Sequence, residues 1–139
     1  MGNGATGGCV CGAVRFEVDG EPLFSSNCHC RDCQRASGSA YLPLMGFPRD
    51  AVRVTGEVTE YERKAESGTS ETEAFCPKCG ARLFAHAEAY AGILLVRAGC
   101  LDDPSVYRAQ ADIYTSRAQP WDLMDPDLPK FAKMPPMKA

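Results

Sequence analysis

Seven of the eight cysteines in this chain crowd into three short segments, and no other feature limits its possible folds as tightly. The segments are Cys9-Val10-Cys11, Cys28-His29-Cys30-Arg31-Asp32-Cys33 and Cys76-Pro77-Lys78-Cys79. Zinc takes four tetrahedral ligands. Structural sites draw all four from protein, whereas catalytic sites keep three and leave a position for water or substrate. Two pairs make a closed site and a triplet makes an open one. The spacing therefore predicts one metal at Cys9, Cys11, Cys76 and Cys79, and a second at Cys28, Cys30 and Cys33.

A disulfide framework is the competing reading, and such frameworks belong to small secreted chains. Met1 to Gly8 are small and polar, without the cationic start and apolar run of a signal peptide, so a cytoplasmic setting is expected. Cysteines one residue apart, such as Cys9 and Cys11, are also poorly placed to bond each other. Metal is the stronger reading.

At 139 residues the chain has the length of one domain with its own core. A single zinc-binding β domain over residues 1–139 is expected, with 1–6 a flexible leader and 119–139 a proline-rich wrapping tail. No apolar stretch approaches the roughly 20 residues that span a bilayer, and the net charge is only −3. Neither nucleic acid nor a membrane is an expected partner.

The pattern between the clusters is that of strands. Ala13 to Val18 alternates apolar and charged residues and stops at the turn pair Asp19-Gly20. Val52-Arg53-Val54, Gly56, then Val58 to Tyr61 reads as strand, turn, strand. Segments Glu71 to Phe75 and Arg82 to Ala85 flank the third cluster, and Ile93 to Ala98 is an apolar run of strand length. Arg31 to Ser37 and Asp125 to Leu128 look like short helical turns. The charged and small residues from Glu62 to Thr72 predict an exposed loop. Pro120, Pro126, Pro129, Pro135 and Pro136 rule out a long helix in the tail, which is expected to run extended, with Trp121 and Phe131 anchored in apolar pockets.

Each cluster has its own chemistry. An extended Cys9-Val10-Cys11 would point both sulfurs to one face of a strand edge. In Cys76-Pro77-Lys78-Cys79-Gly80 the intervening pair forms a turn, and Gly80 supplies the positive φ such a turn needs. In the triplet all three thiols can reach one ion. His29, His86 and Cys100 are the candidates to close it; closure by Cys100 would make a second structural site. Left open, a site of three thiolates suits an external thiolate as fourth ligand. Arg31 and Arg35 beside it would offset its charge or hold a substrate carboxylate, unless they simply form a solvated face.

These residues resemble a known family. Gly8-Cys9-Val10-Cys11-Gly12-Ala13-Val14-Arg15-Phe16, the run from Cys28 to Gly38, and Phe75-Cys76-Pro77-Lys78-Cys79-Gly80-Ala81 are similar to the glutathione-dependent formaldehyde-activating enzymes. Ala98 to Pro104 and Trp121 to Phe131 look like that family's later segments. The resemblance implies a mainly β, zinc-stabilised fold related in architecture to the methionine-R-sulfoxide reductases. It implies a structural zinc at Cys9, Cys11, Cys76 and Cys79 and a catalytic zinc at Cys28, Cys30 and Cys33. The implied activity is that of a carbon–sulfur lyase read in reverse, condensing formaldehyde with glutathione to S-hydroxymethylglutathione. One departure is Cys100, where a small polar residue such as threonine is expected.

The leading expectation is thus an enzyme that adds a small thiol, with glutathione foremost, to an aldehyde such as formaldehyde. A nearby donor, with His29 as a candidate, would stabilise the developing alkoxide. The alternatives are a non-catalytic zinc scaffold or thiol carrier, and a reductase using Cys100 as nucleophile.

Overall fold

The computed structural model describes residues 4–135; the first three residues of the expected leader and residues 136–139, Pro136 included, lie outside the described residues. The fold is mainly β. In chain order its elements are β1 (Ala5–Gly8), β2 (Arg15–Val18), β3 (Phe24–Cys28), α1 (Arg31–Ser37), β4 (Leu42–Pro48), β5 (Val52–Thr55), β6 (Thr59–Lys64), β7 (Ser70–Phe75), β8 (Arg82–Ala87), β9 (Ile93–Arg97) and β10 (Ala111–Ile113). The strands lie in two sheets. Ala5 and Thr6, placed in the leader by sequence, already belong to β1. Among the described residues no helix is long and apolar enough to cross a membrane.

The described residues form two compact units, each built from two chain segments: residues 4–24 with 45–107, and residues 25–44 with 108–135.

In the first unit β2 alternates exposed Arg15 and Glu17 with buried Phe16 and Val18, the period of a strand with one wet face. It is flanked antiparallel by β1 and β5. Gly7 of β1 lies opposite Phe16, and a Cβ there would stand 2.4 Å from both the Phe16 ring and the Cys100 carbonyl oxygen. Only glycine lets β1 approach this closely. The other strands, β6 to β9, pair antiparallel in sequence order. Phe16 and Phe84 meet edge to face at 5.3 Å, within a core that includes Val14, Val18, Met45, Phe47, Leu83 and Val96.

The strand, break, strand read over 52–61 is present as β5 and β6, with β5 joining β2 and β6 joining β7. One expectation is corrected in this unit. The predicted loop from Glu62 to Thr72 is mostly hairpin, with only residues 65–69 as its turn. Charged residues suit both faces of this exposed edge, where Arg63 lies opposite Glu71 and bonds it at 3.0 Å. Two buried charges meet here: Glu73 on β7, 1% exposed, receives Arg97 of β9, 4% exposed, and, at 3.1 Å, the half-exposed Arg82 of β8.

In the second unit β10 runs parallel to β3, with Cys28 opposite Ile113. The chain continues one step beyond β3, since the His29 N–H donates to the Ile113 carbonyl at 2.9 Å. Helix α1 follows over the residues expected. Cys30 is its N-cap, its sulfur accepting from the Cys33 N–H, and left-handed Gly38 ends it. The tail turns at 120–121 and 126–127 and then bonds beside β10 through Asp112 N–H to the Pro129 carbonyl and Phe131 N–H to the Asp112 carbonyl, both at 2.9 Å. Asp125 to Leu128 forms a turn rather than a helix. Trp121 is not the anchor expected, because it is 64% exposed.

Candidate metal centres

In the first unit two turns bring four sulfurs together. Cys9-Val10-Cys11 is not the strand edge expected: β1 ends at Gly8, and the chain turns back with Gly12 N–H bonded to the Cys9 carbonyl and Cys9 N–H to the Val14 carbonyl. The second turn has the same form, with Gly80 N–H on the Cys76 carbonyl and Cys76 N–H on the Ala81 carbonyl. Gly80 adopts φ 78°, the positive value read from sequence. Backbone N–H groups are aimed at the sulfurs, Val14 at Cys9 (3.3 Å) and Lys78 at Cys76 (3.4 Å).

All four sulfurs lie within 4.8 Å of one another, with Cys9 to Cys11 at 3.7 Å and Cys11 to Cys76 at 3.8 Å. Four sulfurs about 2.3 Å from a common centre at tetrahedral angles stand about 3.8 Å apart, so the donor set fits zinc in both chemistry and size. The Val14 N–H lowers the Cys9 thiol to about 6, and the Ala81 N–H lowers Cys79. At Cys11 the Ala13 N–H is outweighed by burial and the neighbouring sulfurs, which push the thiol up to about 11. Mutually repelling thiolates of this kind are stabilised together by a cation.

In the second unit the triplet converges, its three sulfurs also within 4.8 Å of one another. Cys28 ends β3, Cys30 caps α1 and Cys33 lies in the first turn of α1. Cys28 and Cys33 are buried and Cys30 half-buried. The Cys30 sulfur beside it pushes Cys28 up to about 12, and Cys28 in turn holds Cys33 well above the ordinary thiol range.

None of the three candidate closing ligands joins this group. The His29 ring nitrogens are both engaged, Nδ1 2.5 Å from Asp122 Oδ2 and Nε2 2.8 Å from Asp112 Oδ1. This also removes His29 as a donor to an alkoxide. His86 stands 3.4 Å from Glu60 in the first unit. Cys100, also in the first unit, donates to the Arg82 carbonyl at 3.4 Å, and burial raises its thiol. A half-buried thiol raised by burial is the inert kind rather than the reactive kind, which argues against the reductase alternative.

Arg31 and Arg35 are exposed on α1. Arg31 Nη1 donates to Gln34 Oε1, and Gln34 Nε2 donates to the His29 carbonyl at 2.7 Å and the Arg117 carbonyl at 2.9 Å. Gln34 bonds the His29 carbonyl, and Asp112 and Asp122 bond its ring; no local pattern ties the two aspartates to the triplet. Asp112 follows the Cys33 by 79 positions (112 − 33) and Asp122 by 89 (122 − 33), and only folding brings them to the loop.

With two convergent cysteine groups in place, the likeness to known proteins becomes specific. The model of the glutathione-dependent formaldehyde-activating enzymes matches residues 4–117, which include every clustered cysteine. The chain belongs to that family. A crystal structure of a Rhodobacter sphaeroides protein is similar in fold, with a TM-score of 0.58 and 21% identity over 90% of this chain and 98% of that one. At that identity the likeness speaks for the fold alone. The family match bears out the resemblance read from the cysteine motifs, and the mainly β architecture agrees with it.

Proposed function

We propose that this family member holds a zinc ion at Cys28, Cys30 and Cys33 and adds a small thiol, glutathione, to formaldehyde or a related aldehyde, forming the carbon–sulfur bond of an S-hydroxyalkyl adduct. A second zinc at Cys9, Cys11, Cys76 and Cys79 has a structural role. The observation that carries the reading is the convergence of three sulfurs without a fourth His, Cys, Asp or Glu donor in the group, among the described residues. Zinc at such a site favours the thiolate form of an incoming thiol at neutral pH.

The chain's own residues do the rest. Cys28 and Cys33 are buried and Cys30 is half-buried, so Cys30 is the member of the triplet nearest to solvent. Arg31 and Arg35 offer two guanidinium groups for the carboxylates of glutathione, a pairing favoured by the planar fork of arginine. Gln34 restrains Arg31 and, through the His29 carbonyl, the loop that bears the thiols. A cytoplasmic setting belongs to the same reading, since thiol ligands must stay reduced.

The test is optical. In cobalt-loaded protein, millimolar glutathione is expected to strengthen the sulfur-to-metal charge-transfer absorption; Cys33→Ala loses that response and Cys100→Ala keeps it. A spectrum unmoved by glutathione, in protein carrying both metals, eliminates glutathione as the substrate and puts a non-catalytic metal scaffold ahead.

A further inference from the structure

His29 stands in sequence between two of the three triplet cysteines, and its side chain is 0% exposed. The segment around it is extended: Cys28 ends a strand, His29 N–H continues the ladder to Ile113, and Cys30 has φ −66° and ψ 158°. Successive side chains of extended backbone point to opposite faces. Whatever grips residue 29 on one face therefore sets the direction of residues 28 and 30 on the other.

The grip comes from two sides. Asp112 lies on β10 and Asp122 on the tail, and their side chains are 2% and 1% exposed. Lys130 Nζ bonds the second Asp112 oxygen at 2.9 Å, and Tyr41 packs against the imidazole at 5.1 Å between ring centroids. The second Asp122 oxygen, Oδ1, has no hydrogen-bond partner among the described residues. Removing two carboxylates from water is expensive, and a core built for stability alone does as well with apolar side chains of similar volume. The tail is not held here by its apolar residues either, because Trp121 and Leu123 on either side of Asp122 are largely exposed. Asp122 is the residue inserted.

We infer that Asp112 and Asp122 are positioning residues for the triplet: by clamping His29 from both ring nitrogens they hold the Cys28, Cys30 and Cys33 sulfurs convergent. Asp122 thereby makes the tail, beyond the segment matched to the family, part of the centre. The inference rests on the reading of the triplet as a metal site.

The experiment uses the full chain titrated with cobalt. Wild type takes up two equivalents, and the second quenches Trp121, the sole tryptophan, which adjoins the clamp. Asp122→Ala is expected to keep the four-cysteine equivalent, bind the second about 10- to 100-fold more weakly, shift its thiolate-to-cobalt bands and lose the quenching. Asp122→Asn, which keeps an acceptor oxygen in place, recovers most of the affinity. His29→Gln, a polar side chain unable to bond both carboxylates, is the parallel variant should Asp122→Ala fail to fold, and is expected to show the same loss. Either variant, folded, with both equivalents bound at wild-type affinity and unshifted bands, overturns the clamp even if its melting temperature falls. A wild type that takes up only one equivalent sinks the metal reading of the triplet, and the clamp with it.

Discussion

Asp102 shows how one residue ties separate elements together. Its carboxylate receives Arg15 of β2 through two bonds, at 3.0 and 2.5 Å, and Thr6 of β1 at 2.6 Å. The Arg15 and Thr6 donors lower it from the ordinary 3.8 to about 2. Because the folded value is depressed, the pair's contribution to stability is whole above the unfolded range and is lost as pH falls towards 2. Carboxyl carbon NMR is expected to place the Asp102 midpoint near 2, and Arg15→Gln to raise it towards the ordinary carboxylate value without reaching it, because the Thr6 bond remains. A wild-type midpoint already at the ordinary value would mean that the pair does not form in solution. Glu73 is the buried counterpart. Its segment was read as a strand flanking the third cysteine cluster, but its ion pairs with Arg97 and Arg82 depend on the register of three strands.

At the scale of elements, the two cysteine turns of the first unit and the triplet loop of the second should respond differently to loss of a ligand. Structural zinc contributes on the order of 10 kcal/mol to folding, comparable to the entire stability of a domain, about 5–15 kcal/mol. Cys76→Ser or Cys9→Ser is therefore expected to abolish soluble expression or lower Tm sharply, Cys76 being fully buried in the core. Cys30→Ser, at a half-buried helix cap, is expected to be much milder. Equal damage in thermal melts would erase the distinction between a structural and a reactive centre. Elements with a strong local signal, such as α1, were legible in advance. Strand β4 was not, because Leu42-Pro43-Leu44-Met45-Gly46-Phe47-Pro48 carries two prolines and a glycine and is buried along most of its length, so no alternation marks it.

For the molecule as a whole, a mild chelator is expected to remove one metal equivalent before the other, since three ligands bind more weakly than four. Metal analysis beside circular dichroism checks this: one equivalent lost with the β signal retained is the expected result, and joint loss with unfolding points to two closed sites. Short-range chain geometry gathers cysteines two or three residues apart, so each cluster could be read from the sequence, whereas the joining of Cys9 and Cys11 to Cys76 and Cys79 followed only from counting four ligands to a tetrahedral site. The family and the mainly β architecture were legible through the same motifs. The ends of long-range contacts were not. That His29 is gripped by Asp112 and Asp122, that Cys100 bonds the Arg82 carbonyl, and that Trp121 faces solvent while its neighbour is inserted are matters of tertiary structure. Such pairings join residues up to 93 positions apart, and no local pattern encodes them; they exist only once strand register and the course of the tail have been settled by packing.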